Sequence, residues 1–176
     1  MLPKNFGARG GKRGGMTDFR SLLTLLAGGH VEFIIVGGAA ATAHGSARLT
    51  QDLDVVYRRT RENVSRLVHA LAPHAPYLRG APPGLPFTFD EKTIWNGLNF
   101  TLTTDLGALA LLAEITGGGL YDDLLPHSIR LNVYGVECLC LGLGRLIHVK
   151  RAAGRPKDLE VLAELETILD EQNGGR

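Results

Sequence analysis

The sequence has little of several features that would narrow its class directly. It contains two cysteines and one tryptophan in 176 residues, and only 6% of its residues are aromatic. Cys138 and Cys140 lie two positions apart in a strand-like segment, a spacing of roughly 6–7 Å that disfavours a disulfide. Two thiols alone also make a poor metal site. We therefore expect reduced, buried cysteines and a cytoplasmic protein.

Long apolar runs and phosphate-binding motifs of the common kinds are absent as well. Crossing a bilayer takes roughly 18–20 apolar residues, whereas the runs at 31–36 and 106–115 are strand-sized or interrupted by glycine and glutamate. We expect no membrane partner. The chain has no GxxxxGK[ST] loop and no GxGxxG that follows a strand and opens a helix. P-loop ATP hydrolysis and Rossmann dinucleotide binding are therefore disfavoured.

The chain as a whole has almost no excess of either charge, but one end of it is clearly basic. The net charge is +1, and residues 1–15 carry four basic side chains and no acidic one. The remainder is mildly acidic and gives no general nucleic-acid footprint. We divide the chain into a disordered basic tail (1–15), a core (16–141) and a C-terminal helical segment packed on the core (142–176). An RNA-contacting arm and a misplaced start codon are alternatives for the tail.

Hydrophobic periodicity and capping residues predict alternating helices and strands. Asp18 and Thr60 are suited to cap helices, and Pro156 is suited to begin one. The predicted helices are 19–27, 39–44, 61–72, 144–153 and 156–171. The predicted strands are 31–36, 52–57, 98–103, 109–115, 129–134 and 136–141, with a loop over 73–86. This order indicates an α/β (α+β) fold, a mixed β-sheet flanked by helices with a helical C-terminal end.

The segment VGGAAATAHGSARLTQDLDVV, residues 36–56, carries the clearest chemical pattern. Asp52 and Asp54 begin a predicted strand and share one face of it, so both carboxylates can hold one divalent cation, Mg²⁺ or Mn²⁺. Gly37 and Gly38 form a turn before a short helix, where uncovered N–H groups suit a phosphate. The simpler interpretations are a solvated strand edge for the two aspartates and an ordinary turn for the two glycines. Because the aspartate pair and the glycine pair lie only one loop apart, we favour a metal and phosphate site.

Basic and hydroxyl side chains accompany this segment. Ser46 and Arg48, in the loop itself, can contact phosphate oxygens. Four basic residues also occur within eight positions near the C-terminus: Lys150, Arg151, Arg155 and Lys157. Such a cluster suits a triphosphate or an RNA backbone, and a solvated basic corner is the alternative. A phosphate cradle beside metal-binding carboxylates is what transfer of a nucleotide requires.

This pattern resembles the nucleotidyltransferase superfamily that contains DNA polymerase beta, whose signature is a Gly-Gly or Gly-Ser turn followed by Asp-x-Asp. Its details are similar to the minimal bacterial nucleotidyltransferase-like proteins related to the AbiEii toxin family. The residues that match their pattern of GG, HG, a basic residue, T and DxD are Gly37, Gly38, His44, Gly45, Arg48, Thr50, Asp52 and Asp54. The stretches NFTLTTDLGALALLAEI (99–115) and HVKRAAGRPKDLEVLAEL (148–165) resemble the second and the C-terminal block of the family.

The resemblance implies a nucleotidyltransferase fold and Mg²⁺-dependent transfer of a nucleoside monophosphate from an NTP to a hydroxyl group. It also implies that Lys150 or Lys157 meets the nucleotide phosphates and that Asp158 completes the site. Some relatives are toxins of toxin–antitoxin pairs. A tRNA or protein acceptor and a cognate antitoxin are therefore the partners that the resemblance implies.

One position departs from the family pattern. The second block typically reads GxLDLL, whereas this chain has GALALL, with Ala110 in place of the aspartate. A third carboxylate commonly orients the acceptor hydroxyl and serves as its general base. Glu114 lies roughly 13 Å further along the predicted strand, and Asp105 is another substitute. The alternative function is therefore a catalytically degenerate regulatory module that binds a nucleotide or a partner.

Overall fold

The computed structural model describes residues 15–175, so the predicted tail lies outside the described residues except for Gly15. The helices are Phe19–Gly28 (α1), Gly37–Ala43 (α2), Arg61–Leu71 (α3), Glu91–Asn96 (α4), Tyr121–Leu124 (α5), Leu143–Ala153 (α6) and Pro156–Gly174 (α7). The strands are Phe33–Val36 (β1), Asp52–Tyr57 (β2), Tyr77–Leu78 (β3), Phe100–Thr104 (β4), Gly107–Leu112 (β5), Glu114–Ile115 (β6), Gly119–Leu120 (β7), Ser128–Val133 (β8) and Val136–Leu141 (β9). None of these helices is long and apolar enough to cross a membrane.

Seven strands form one mixed sheet in the order β3-β4-β5-β2-β1-β9-β8. β2 runs parallel to β5 and β1 runs parallel to β9, while the other neighbours are antiparallel. β6 and β7 form a separate two-stranded ribbon. The central position of β2 fixes the carboxylates of Asp52 and Asp54 at the middle of the sheet. The α/β class, the mixed sheet and the helical C-terminal end were predicted correctly.

Helices lie on both sides of this sheet. α1 packs on α3 and α3 on α4, whereas α2 packs on β1, β2 and α6, and α6 packs on α7. Leu53 and Val55, which alternate with the two aspartates along β2, are fully buried. One face of β2 therefore belongs to the hydrophobic core. The other face carries the carboxylates and opens toward α2, α6 and α7.

Three of the predicted helix starts, at Phe19, Arg61 and Pro156, are confirmed, and the first two have side-chain caps. The Asp18 carboxylate accepts a hydrogen bond from the Ser21 backbone N–H at 2.9 Å. The Thr60 hydroxyl oxygen accepts one from the Asn63 N–H at 3.2 Å. Pro156 occupies the first position of α7, where a missing N–H costs no helical hydrogen bond. Local side-chain chemistry thus determines where these helices begin.

The first predicted strand and the second predicted helix begin at other residues than expected. β1 starts at Phe33 rather than at Val31, because the Val31 N–H still donates to the Leu26 carbonyl at the end of α1. α2 starts at Gly37 itself rather than two residues later. The Gly-Gly pair is therefore the first turn of this helix and not a separate turn before it.

The second half of the sheet differs more from the prediction. The predicted loop 73–86 contains β3, which pairs with β4. The predicted strand 109–115 is interrupted at Ala113, whose N–H donates to the Asn99 side-chain oxygen at 2.8 Å and leaves the ladder. α4 and α5 were not predicted. They have six and four residues, too short to show a clear helical period.

Candidate active site

The Gly-Gly pair allows the backbone to approach β2 very closely. Gly37 has a φ of +65°, and a Cβ atom there would lie 2.2 Å from Oδ2 of Asp54. A Cβ atom on Gly38 would lie 2.6 Å from the hydroxyl oxygen of Thr50. The two glycines therefore position Asp54 and Thr50 against the start of α2. A side chain at either position would push these groups away.

The two carboxylates of β2 lie in different electrostatic surroundings. The Asp52 Oδ2 accepts a hydrogen bond from Arg79 Nη1 at 2.7 Å, so Asp52 has a cationic partner. Burial and the neighbouring charge of Asp52 raise the pKa of Asp54 to about 6, although Lys157, Lys150 and Arg155 act in the opposite direction. An ionised Asp54 therefore costs the fold free energy at neutral pH. A cation placed between the two carboxylates would remove that cost.

The basic corner predicted near the C-terminus lies beside these carboxylates, where α6 meets α7. The Lys150 ammonium is buried 3.6 Å from Oδ1 of Asp158, and Arg155 Nε donates to Oδ2 of Asp158 at 2.6 Å. Burial raises the pKa of Asp158, but the hydrogen bonds and charges of Arg155 and the charge of Lys150 outweigh it and hold that pKa below its usual value. Burial lowers the pKa of Lys150 despite its acidic neighbour.

Ser46 and Arg48 make contacts that differ from those expected of phosphate ligands. The Ser46 hydroxyl donates to Glu164 at 2.8 Å, and Arg48 Nη1 lies 3.3 Å from a carboxylate oxygen of Glu160. The Ala47 N–H also donates to Glu164, at 2.8 Å. These contacts fasten the loop before β2 to α7. In this state the loop side chains hold the wall of the cleft together.

Two adjoining cavities open around Asp54. The larger, of about 340 Å³, is lined by every residue that the sequence predicted for the site: Gly37, Gly38, Ser46, Arg48, Asp52, Asp54, Lys150, Lys157 and Asp158. The other, of about 290 Å³, shares Gly37, Asp54, Lys150, Arg155 and Asp158 with it and adds a mainly apolar wall. The sequence-distant blocks therefore meet in one cleft, with Asp54 at the junction of its two halves.

Register in the sheet places Ala110 directly beside Asp54. The neighbouring strand thus lacks an acidic side chain at the point nearest to the carboxylate pair. Asp105 lies instead at the turn between β4 and β5, where one carboxylate oxygen is 2.8 Å from His74 Nδ1, and it does not line either cavity. Glu114 does line the smaller cavity, together with Asn99 and Thr116.

Sequence reasoning missed Arg79 and the contribution of Asn99 to the cleft. Arg79 lies in the Pro- and Gly-rich stretch that was predicted to be a loop, and nothing in the local sequence connects it with Asp52. Asn99 begins the block that resembles the second family motif, and its side chain binds the backbone of 113–114. Only the pairing of β3 with β4 and of β4 with β5 brings these residues to the site.

The carboxylate pair fits a Mg²⁺ or Mn²⁺ ion that a nucleotide helps to hold. Mg²⁺ commonly takes one or two protein carboxylates and fills its other positions with water and substrate phosphates. Within residues 15–175 there is no group of three or more His, Cys, Asp or Glu side chains arranged to hold a metal on its own. Asp52 and Asp54 are thus suited to a shared site rather than to a closed protein cage.

Comparison with known proteins bears on the fold. No family model matches the chain, and no curated protein matches it. Six chains among the solved structures do match. One is the crystal structure of a proposed nucleotidyltransferase from Thermotoga maritima, with 14% identity and a TM-score of 0.53 over 84% of this chain and 89% of that one. The chain has a nucleotidyltransferase fold.

This result confirms the fold that the superfamily resemblance implied and does not test any narrower assignment. At 14% identity the similarity concerns the arrangement of the chain and does not extend to a substrate. The closer resemblance to AbiEii-related proteins, the roles of the site residues and the division into a core and a C-terminal segment remain predictions.

Proposed function

We propose that this protein is a Mg²⁺-dependent nucleotidyltransferase that moves a nucleoside monophosphate from an NTP to a hydroxyl group. One observation carries the proposal: two carboxylates and the cations Lys150, Arg155 and Lys157 line a single cavity of about 340 Å³. A cavity lined both by carboxylates that can hold a metal and by fixed positive charges suits a metal-bound triphosphate.

In this proposal Asp52 and Asp54 would hold Mg²⁺ (or Mn²⁺), which would supply charge neutralisation at the phosphates. Lys150 and Lys157 balance the remaining phosphate charge, and Asp158 keeps Lys150 and Arg155 in place. Gly37 and Gly38 let the triphosphate approach the backbone at the start of α2. Ser46 and Arg48 contact phosphate only if they release Glu164 and Glu160, so we give them a secondary role.

The transfer forms one bond and breaks one. The acceptor oxygen bonds to the α-phosphorus, the bond between that phosphorus and the bridging oxygen breaks, and pyrophosphate leaves with the electron pair. The hydroxyl proton passes to a base of the cleft. Glu114 is the candidate for this base, because it is an acidic residue that lines the cavity adjoining Asp54, whereas position 110 has only a methyl group.

The acceptor in this proposal is a hydroxyl of tRNA, of a protein or of a small molecule. A toxin role with a cognate antitoxin as partner follows from the family resemblance only, and the proposed cytoplasmic location follows from the two reduced cysteines. The proposal is tested by incubating the protein with Mg²⁺ and each α-labelled NTP in the presence of total tRNA, total protein, a small-molecule extract or the protein alone. Label on one acceptor class, absent with Asp52→Asn/Asp54→Asn, supports the proposal. No label on any of them overturns it.

A second candidate function is a regulatory module that binds a nucleotide or a partner without turning it over. Two observations favour it: the methyl group of Ala110 beside Asp54, and the ion pair that already occupies Asp52. Such a module binds Mg²⁺–NTP in calorimetry but never transfers label. Asp52→Asn distinguishes the two, because a module that binds a partner protein keeps this partner, whereas an enzyme loses turnover.

A further inference from the structure

Arg79 comes from the edge of the sheet, yet its guanidinium lies within the cleft. Its backbone N–H donates to the Thr101 carbonyl at 2.9 Å and continues the pairing of β3 with β4. Its Nη1 reaches Oδ2 of Asp52 at 2.7 Å, and its side chain lines the larger cavity. Since β4 and β5 lie between β3 and β2, the side chains of Arg79 and Asp52 together bridge both strands to make this contact.

The residues beneath this path are small. In register, Arg79, Thr101, Ala110 and Asp54 form one row across the sheet, and Ala108 lies beside Asp52 in the next row. The methyl groups of β5 leave room for a long side chain to reach Asp52. An aspartate at position 110 would stand in the same row and offer Arg79 a nearer partner.

The guanidinium also has unused hydrogen-bonding capacity. Nε and Nη2 of Arg79 are buried and have no hydrogen-bond partner among the described residues. Buried donors without acceptors cost free energy, so this contact with Asp52 does not satisfy the arginine. The side chain lines the cleft, so once it moves away from Asp52 a ligand there can supply the missing acceptors. Phosphate oxygens match a guanidinium in pairs, which makes a triphosphate a suitable ligand.

We propose that Arg79 is a positioning residue that alternates between two partners. In the nucleotide-free protein it is the counter-ion of Asp52 and competes with a divalent cation for that carboxylate. When Mg²⁺–NTP binds, Arg79 releases Asp52 and pairs with oxygens of the triphosphate. The second step rests on the function proposed above, whereas the first concerns the nucleotide-free protein alone. Two cations near one carboxylate oxygen repel each other, so metal and arginine exclude one another there.

The variant Arg79→Gln tests both steps, because they predict changes of opposite sign. Mn²⁺ serves as the probe in the nucleotide-free protein, and the electron paramagnetic resonance signal of free Mn²⁺ reports its binding. Loss of the competing cation is expected to strengthen Mn²⁺ binding about fivefold to tenfold. Loss of the phosphate contact is expected to weaken Mg²⁺–ATP binding about tenfold in calorimetry.

Two further variants separate this role from a structural one. Arg66→Gln removes an equal charge from an exposed pair with Glu62 on α3 and should leave both affinities unchanged. Arg79→Lys keeps the charge but not the paired donors, so it should restore the wild-type Mn²⁺ affinity and only part of the ATP affinity. Circular dichroism confirms that each variant is folded before it is measured.

Each outcome decides a definite part of the proposal. If Arg79→Gln binds Mn²⁺ no more tightly than the wild type, the counter-ion step is wrong, whether or not the protein transfers a nucleotide. If both affinities fall together, Arg79 only supports the shape of the cleft and the proposal is overturned. If Mn²⁺ binding strengthens but neither wild type nor variant binds any NTP, the counter-ion step holds and the phosphate step fails together with the proposed function.

Discussion

The two faces of β2 show opposite relations between stability and function. Leu53 and Val55 face the core and are fully buried. Removal of their apolar side chains from water stabilises the folded state. Asp52 and Asp54 alternate with them and face the cleft, where burial and mutual repulsion raise the pKa of Asp54 to about 6. The apolar face holds the sheet together, whereas the acidic face works against it. A cation held by both carboxylates, as proposed above, would relieve this repulsion.

The largest expected effect is that of Asp54→Asn on nucleotide transfer. Loss of one metal-binding carboxylate should lower the rate of label transfer by about 10³-fold or more. The melting temperature should not fall, because the change removes a repulsive charge from the middle of the sheet. Scanning calorimetry without metal measures this temperature. A variant that is less stable and still active would contradict the comparison between the two faces.

Leu53→Ala tests the opposite face. It should lower the free energy of unfolding by about 3 kcal/mol, because it leaves a cavity in a fully buried position. Urea denaturation measures this loss. The affinity of the folded protein for Mg²⁺–ATP should stay the same, since Leu53 points away from the cleft. A large change in affinity with little change in stability would show that the two faces are not separable.

Gly37→Ala should affect both properties at once. At a φ of +65°, with a Cβ that would lie 2.2 Å from Asp54 Oδ2, alanine should cost about 1–2 kcal/mol of stability through backbone strain alone. Displacement of Asp54 should also weaken Mn²⁺ binding, which the resonance titration detects. Gly144→Ala is the matched control, because a Cβ there meets no atom within 4 Å. If both variants bind Mn²⁺ equally, the close approach of Gly37 to Asp54 has no functional role.

The smallest expected effect is a pH dependence of stability that comes from Asp158. Its pKa is held below the ordinary value of 3.8 in the folded protein, so folding favours the ionised form. The resulting stabilisation is fully present above that ordinary value and declines as the pH falls through the lower pKa of the folded state. Chemical denaturation of wild type and Asp158→Asn from pH 7 to pH 3 should show two stabilities that converge at the acidic end. A constant difference would exclude this linkage.

The sequence was informative about the fold wherever one local signal sufficed. Asp18, Thr60 and Pro156 mark helix starts through their own side chains, and the alternation in 52–57 identifies β2 with its correct bounds. Short elements such as β3 and α4 were missed, because two to six residues give no period to detect. Their stability comes from neighbouring chain segments that the local sequence does not reveal.

Many of the residues that line the cleft were named from the sequence, but the contacts between them were not. The proximity of the two glycines to the two aspartates could be predicted, because Gly37, Gly38, Asp52 and Asp54 all lie within one strand–helix–strand segment. That Ser46 and Arg48 pair with α7, and that Arg79 pairs with Asp52, could not be predicted. These contacts join positions 27 to 118 residues apart, and only the sheet order and the docking of α7 bring them together.

The docking of α7 has a consequence for how the protein is made. Asp52 and Asp54 leave the ribosome well before Lys150 and Asp158, which follow them by about 100 positions. Contacts so distant in sequence form late, because a long loop must close first. A nascent chain in which α7 has not yet docked therefore lacks the basic wall of the cleft. Under the proposed function, a chain in which this segment has not yet docked would therefore not bind a triphosphate.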